Sequence, residues 1–362
     1  MREILTRLGR YSLLRGAALF LTVLVAIYLT VVIANWGGAM DEARRQQIRF
    51  DVTQYVYSNP DYMHLPQSEL VLLVDEMVAT QLRRQGLDQS FIQRSLTYTR
   101  NAMTLDLGRT ETIISDTGSR MVRNVLLDRL PSTLLLIATS ELLLFFLALF
   151  AALYLSRRYG SFLDRATIAL APTSAAPAWF YGLFLILIFV ALPDNPLLPW
   201  GGMTSAPPAP PGSLAYVLDV LRHLVLPVGA VIIGAVFASI YNWRTFFLMY
   251  SSEDYVELAK AKGLSSRAIE RRYILRPTLP PILTSFLLML ITLWMGAIVL
   301  ETVFNWPGIG RLYYQAIQTY DTPIIVGVVV IFGYLLAATV FLLDFMYAAL
   351  DPRVRLSLGG GK

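Results

Sequence analysis

The sequence predicts an all-α membrane protein of six transmembrane helices, with a helical extracytoplasmic insertion after the first. Three observations predict it. The chain of 362 residues is only 15% charged and 56% hydrophobic, with a mean hydropathy of +0.55, whereas a soluble domain carries about 25% charged residues. The apolar residues gather into six runs, each long enough to cross a hydrocarbon core of about 30 Å as a helix. Outside the long segment after the first run, the basic residues gather on one of the two sides that those runs define.

The runs are Gly16–Ala34, Leu134–Leu155, Ala166–Leu192, Leu224–Trp243, Leu279–Leu300 and Pro323–Tyr347. In lipid each backbone polar group must be satisfied within its own segment, so spans of this length are helices. The first run could be read as a signal peptide with Arg2, Arg7, Arg10 and Arg15 as its basic region. Its apolar core is too long for that, and no small-x-small cleavage site follows, so it reads as an anchor.

Seventeen Lys and Arg lie in the N-terminal segment, Ser156–Arg165, Arg244–Arg276 and the tail, while the short opposite loops hold Arg222 and Arg311. The positive-inside rule then places both termini in the cytoplasm. The net charge of +5 is therefore mostly a topology signal and calls for no nucleic-acid partner. Residues 36–129 form the extracytoplasmic domain, because long segments cross largely regardless of charge. Within it, Leu70, Leu73, Val74, Met77, Val78 and Leu82 have helical spacing. The proline-rich loop Pro193–Gly212 reads as extended and irregular. Residues 130–350 then form a five-helix core and residues 351–362 a cytoplasmic tail.

Several chemistries are excluded. The chain has no cysteine and only two histidines, His64 and His223, which argues against thiol catalysis, a Ser-His-Asp triad and a cysteine- or histidine-built metal site, and no metal site is expected. His64 reads as surface and His223 as an interface residue. Gly359-Gly360-Gly361-Lys362 lacks the spacing and the following Ser or Thr of a P-loop. Glu141 lies inside the second run, where a charge is expensive; it is a candidate for a substrate pathway, and it serves equally as a contact to a partner subunit or as a shallow residue near an interface. Glu301 and Asp344 lie near span ends, within reach of water, and Arg244 is placed among lipid headgroups.

The cytoplasmic segment 251–281 is the most informative. Ser252 can cap a helix whose first turn holds Glu253 and Asp254. Tyr255, Val256, Leu258 and Ala259 supply an apolar stripe, Lys260 and Lys262 suit the C-terminal end, and Gly263 stops the helix in the left-handed region. Ser265 or Ser266 can cap a second short helix that Pro277 ends. On these residues alone the segment serves a solvated loop as readily as a docking surface.

Glu257-Leu258-Ala259 followed by Gly263 resembles the EAA-type coupling motif of binding-protein-dependent ABC importer permeases. Tyr273 and Arg276 depart from the generic motif and resemble the dipeptide/oligopeptide branch. Further along the chain, Asp106-Leu107-Gly108-Arg109, Arg129-Leu130-Pro131-Ser132-Thr133, Arg222-His223-Leu224 and Glu301-Thr302-Val303-Phe304-Asn305-Trp306-Pro307-Gly308 resemble the B-type subunit of that branch. The outer segment is longer than the usual family version, Trp36–Gln85 being the part without a counterpart in the resemblance.

The resemblance implies a type I ABC importer permease in the cell's inner membrane, not an enzyme. It would conduct peptides, metal complexes, glutathione or oligosaccharides. It would pair with a second homologous permease, two ATPase subunits and an extracytoplasmic substrate-binding protein, surrounded by membrane lipid. ATP and Mg would be held by the ATPases and no cofactor by this chain. Its ATPase-coupling residues would be Asp254, Tyr255, Glu257, Leu258, Ala259, Lys260, Ala261, Lys262, Gly263 and Leu264. The alternative is an ion-coupled secondary transporter using Glu141.

Overall fold

The computed structural model describes residues 2–35, 39–84, 86–110, 112–292 and 297–350. The tail with Arg353, Arg355 and Lys362 lies outside them. In chain order the helices are α1 (Arg2–Asn35), α2 (Ala39–Ser58), α3 (Gln67–Arg84), α4 (Phe91–Met103), α5 (Val122–Arg157), α6 (Phe162–Leu170), α7 (Ala178–Ile186), α8 (Leu214–Ser251), α9 (Asp254–Ala261), α10 (Ser266–Ile269), α11 (Arg276–Thr292), α12 (Ile298–Val303), α13 (Ile309–Gln318) and α14 (Thr322–Leu350).

Five helical stretches among them are long and apolar enough to span a membrane: Ser12–Ile33, Val122–Arg157, Leu214–Ser251, Ser266–Ile291 and Thr322–Asp344. The expected third span departs from a single rod. It is a pair of helical pieces, Phe162–Ala175 and Ala178–Ala191, bent by 97°. Pro177 supplies the reason. A proline pushes the residue before it out of the helical region, and Ala176 is extended at φ −84° and ψ 136°. Counting the bent pair as one span gives six. The fifth span begins earlier than its apolar run, at Ser266, because the second short helix, expected to end at Pro277, runs on into it. A π-helical turn over Glu270–Leu275 leads directly into α11. Pro277 then lies just past the junction of the π turn with α11, inside one continuous helical stretch.

The chain divides into two compact units, Met1–Leu126 with Ala316–Lys362, and Leu127–Gln315. In the first, α1, α4 and α14 share a core of Val23, Ile27, Val31, Ala102 and Val330. Tyr334 Oη donates to the Met103 carbonyl at 2.8 Å, which pins the end of α4 to α14. Arg15 pairs with Asp344, so Asp344 has a partner within the chain. A separate small core joins α2 and α3 through Ile48, Val52, Val56, Val74 and Val78, and all six residues of the expected helical stripe pack in it. His64 is exposed, as expected.

In the second unit one core gathers Leu136, Leu224, Leu226, Leu300, Phe304 and Trp306 from α5, α8 and the α12 region. A second core runs along α5 and α8 through Leu144, Ala148, Ala152, Val236, Ile240 and Phe247. Phe145 makes edge contacts with Trp243 and Phe286 beside it, with ring centres 5.8 and 5.4 Å apart. Leu142, Leu143, Phe146, Leu147 and Phe150 face outward on α5, as a lipid-contacting surface requires. The proline-rich loop is irregular and is tied down at two points. Gly202 N–H donates to the Phe304 carbonyl at 3.1 Å, and Ser205 Oγ donates to Asp219 on α8 at 2.8 Å. His223 is buried one turn further along α8, with Nδ1 2.8 Å from the Asp219 carbonyl oxygen. It is buried within its own chain.

Candidate coupling site

The segment between α8 and α11 is built as a short helix held by two residues and stopped by a glycine. The chain leaves α8 at Ser252, which closes that helix by donating from its hydroxyl to the Met249 carbonyl at 2.9 Å. Ser252 therefore does not cap α9. Glu253 occupies the N-cap position with extended backbone and without a side-chain cap bond, and Asp254 and Glu257 lie in the first turn, where the helix dipole favours acids. Ser265 holds the N-cap position of α10, also without a side-chain bond.

The apolar stripe expected on α9 divides between two faces. Val256 and Ala259 are buried against Ile269, with Leu264, Tyr273 and Ile274 around them. Tyr255 and Leu258 point away and are exposed, Leu258 by 56%. Asp254, Glu257, Lys260, Ala261 and Lys262 are exposed too. Lys260 Nζ donates to Glu257 Oε1 at 3.1 Å, an exposed pair of little energetic weight.

Gly263 sits at φ +72°. Leu264 N–H reaches back to the Ala259 carbonyl at 3.3 Å and Gly263 N–H to Lys260 at 2.9 Å, a Schellman-type end with an apolar contact across it. A Cβ at Gly263 would meet nothing within 4 Å. Glycine is required there by handedness and not by space.

Behind this projection lies a buried clamp that the sequence did not disclose. Arg244, near the end of α8, turns inward. Its Nε and Nη2 both donate to the Asp164 carboxylate on α6, the second bond at 2.7 Å. Asp164 is 1% exposed and Arg244 7%. Gly160 N–H donates to Asp164 Oδ2 at 2.8 Å, and the guanidinium lies 5.1 Å from the centre of the Tyr159 ring. Arg244 does not meet lipid headgroups, because a bidentate carboxylate satisfies a planar guanidinium better than a mobile interface does. An acid immediately before an apolar run, with an arginine ending the next one, was the available signal. Nearby, Arg157 at the end of α5 pairs with Glu270 in the π turn after α10.

A second buried arrangement lies where α12 turns into α13. Glu301 is fully buried, not near water as its place at a span end implied. Thr133 Oγ1 donates to its Oε1 at 2.8 Å and Arg311 N–H to its Oε2 at 2.9 Å. Thr133 Oγ1 also accepts from Ile309 N–H at 2.7 Å, and Trp306 Nε1 donates to the Ser132 carbonyl at 2.9 Å. Burial pushes the Glu301 carboxyl above its ordinary range, opposed by the bonds from Arg311 N–H and Thr133 Oγ1. Glu141 is half-buried within α5, with no hydrogen-bond or ion-pair partner among the described residues.

The family profile described as "Binding-protein-dependent transport system inner membrane component" matches residues 145–356, more than half of the chain and all of the coupling segment. The chain belongs to this family. The permease is 32% identical over 295 residues to the di/tripeptide transport system permease protein DppB of Pseudomonas aeruginosa (strain UCBPP-PA14), an alignment covering 77% of this chain and 85% of that one. It is 28% identical over 296 residues to the oligopeptide transport system permease protein AppB of Bacillus subtilis (strain 168), covering 80% and 90%. It is 30% identical over 285 residues to the glutathione transport system permease protein GsiC of Shigella flexneri serotype 5b (strain 8401), covering 78% and 84%. The protein is thus a multi-pass inner-membrane permease subunit of an ABC importer and not an enzyme. It works in a transporter complex with ATPase and binding-protein partners.

Proposed function

We propose that the chain forms half of a translocation pathway for peptides or solutes of similar size, with α9 as the element through which ATPase subunits drive it. The exposed face of α9 carries this reading: Tyr255 and Leu258 stand out toward solvent while Val256 and Ala259 anchor the helix from behind. An apolar pair ringed by Glu257, Lys260 and Lys262 fits a groove in a partner better than it fits water. The peptide assignment is supported by the names of the relatives.

In this scheme both termini are cytoplasmic and a second homologous permease supplies the other half of the pathway. Two ATPases hold ATP and Mg and dock below, and a substrate-binding protein delivers solute from above. Closure of the ATPases pushes α9, and the push passes through Gly263 and the Arg157–Glu270 pair into the membrane helices. Glu141 is a candidate for the pathway wall; no observation favours using it for ion coupling.

The test is Gly263→Pro in the complete reconstituted transporter. Proline fixes φ near −65° and cannot take the native +72°. We expect ATP hydrolysis to continue while solute uptake falls by about tenfold or more, a barrier increase above about 1.4 kcal/mol. Uptake at the unmodified rate would remove α9 from the coupling path.

A further inference from the structure

A cavity of about 210 Å³ opens among the C-terminal end of α1, the last turns of α4, the turn after α4 and the first turn of α14. Its floor is apolar, with Val31 and Val326 from the core shared by α1, α4 and α14. Its rim is polar and carries both signs of charge, with Asn101, Asp106 and Arg109. Among the described residues none of these three side chains makes a hydrogen bond or ion pair. Asp106 also borders a second cavity of about 190 Å³, which Arg123 lines.

The turn that presents Asp106 and Arg109 is fixed. Leu105 is held in the left-handed region at φ 57°, a conformation that non-glycine residues keep only when their surroundings impose it. Asp106 N–H donates to the Asn101 carbonyl at 2.9 Å, Val122 N–H to Gly108 at 3.1 Å, and Arg109 bridges to Met121. Two opposite charges are therefore displayed on a rigid frame over an apolar floor.

The depth of the cavity is also fixed. Val31 is two residues from the end of the apolar stretch Ser12–Ile33, and Thr322 begins the stretch Thr322–Asp344. The rim stands where hydrocarbon gives way to headgroups.

We propose that this cavity binds the headgroup of an amine-bearing phospholipid. The phosphate lies against Arg109, the ammonium against Asp106 and Asn101 Oδ1, and the first acyl carbons over Val31 and Val326. A small zwitterionic solute offers the same two charges. The position of the cavity at the edge of the apolar stretches selects the lipid, whose acyl chains lie beside that floor. The site is independent of the coupling scheme.

The experiment is native mass spectrometry of the full chain in its detergent-solubilised assembly, titrated with phosphatidylethanolamine, phosphatidylcholine or phosphatidylglycerol. The unmodified protein retains phosphatidylethanolamine about fivefold better than phosphatidylglycerol, which lacks the cation, the worth of one charge contact of about 1 kcal/mol, and better than phosphatidylcholine, whose quaternary ammonium has no N–H to donate to Asp106 or Asn101. Asp106→Asn abolishes that preference, Arg109→Gln weakens retention of all three, and Arg123→Gln changes nothing. Because Asp106 and Arg109 are exposed, these variants keep their fold. Equal retention of the three lipids by the unmodified protein, or an intact preference in the Asp106→Asn, Arg109→Gln double variant, would overturn the proposal. Displacement of phosphatidylethanolamine by excess glycylglycine would assign the zwitterion to a solute and overturn the lipid.

Discussion

Arg244 lies about two turns before the end of α8 with its guanidinium turned inward because Asp164 offers it two oxygens in the plane of its fork. Removing either partner strands a buried charge, at a cost of about 3–5 kcal/mol. Arg244→Ala and Asp164→Ala are therefore expected to lower the unfolding temperature of the purified transporter strongly. Arg244→Lys keeps the charge and loses the second hydrogen bond, and is expected to fall between these variants and the unmodified protein. Unfolding temperatures that do not separate the three variants from the parent would mean that the pair contributes no stability. The sequence places the two residues 80 positions apart, and hydropathy assigns Arg244 to the interface. A lone arginine at a span end carries no local mark of the carboxylate that will meet it.

At the scale of the element, α9 was legible almost entirely. Acids at its start, lysines at its end and a glycine beyond are local signals with local causes, and the helix Asp254–Ala261 and the φ of Gly263 agree with them. The path of the chain beyond Ile269 was not legible. A proline inside a basic stretch reads as a stop, yet the π turn over Glu270–Leu275 carries the chain past Pro277 without a break. The division of the α9 stripe into a buried and an exposed face was also invisible, because it depends on where α10 folds back. That division can be tested directly, since the chain contains no cysteine. Leu258→Cys is expected to crosslink to an ATPase subunit carrying a cysteine in its docking groove, and Val256→Cys, buried at 0%, is not. Equal crosslinking at both positions would show that α9 does not dock in this orientation.

Across the whole molecule, the membrane class and the number of spans follow from hydropathy alone, because lipid enforces continuous helices. The exception is the 97° bend at Pro177. The apolar run is unbroken there, and only the rule for the residue before proline marks the place. One permease chain surrounds no pathway in the proposed scheme. Gentle affinity purification from the native membrane, followed by mass spectrometry, is accordingly expected to recover a second, non-identical permease together with ATPases. A homo-oligomer free of ATPase in several mild detergents would contradict that assembly.

The Glu301 cluster also bears on how this protein can change over generations. A Cβ at Gly308 would run into the Glu301 carboxylate and come within 2.5 Å of Thr133 Oγ1, and one at Gly310 would stand 2.9 Å from the Ile298 backbone. Thr133, Glu301, Gly308 and Gly310 thus form a lock with respect to drift. A side chain added at either glycine, or loss of the Thr133 hydroxyl or the Glu301 carboxylate, is expected to damage the cluster unless a second substitution compensates, whereas Thr133→Ser keeps the hydroxyl and is expected to pass. Drift here is therefore confined to paired changes and to the few single ones that keep these atoms in place, while the exposed helix faces are under no such constraint.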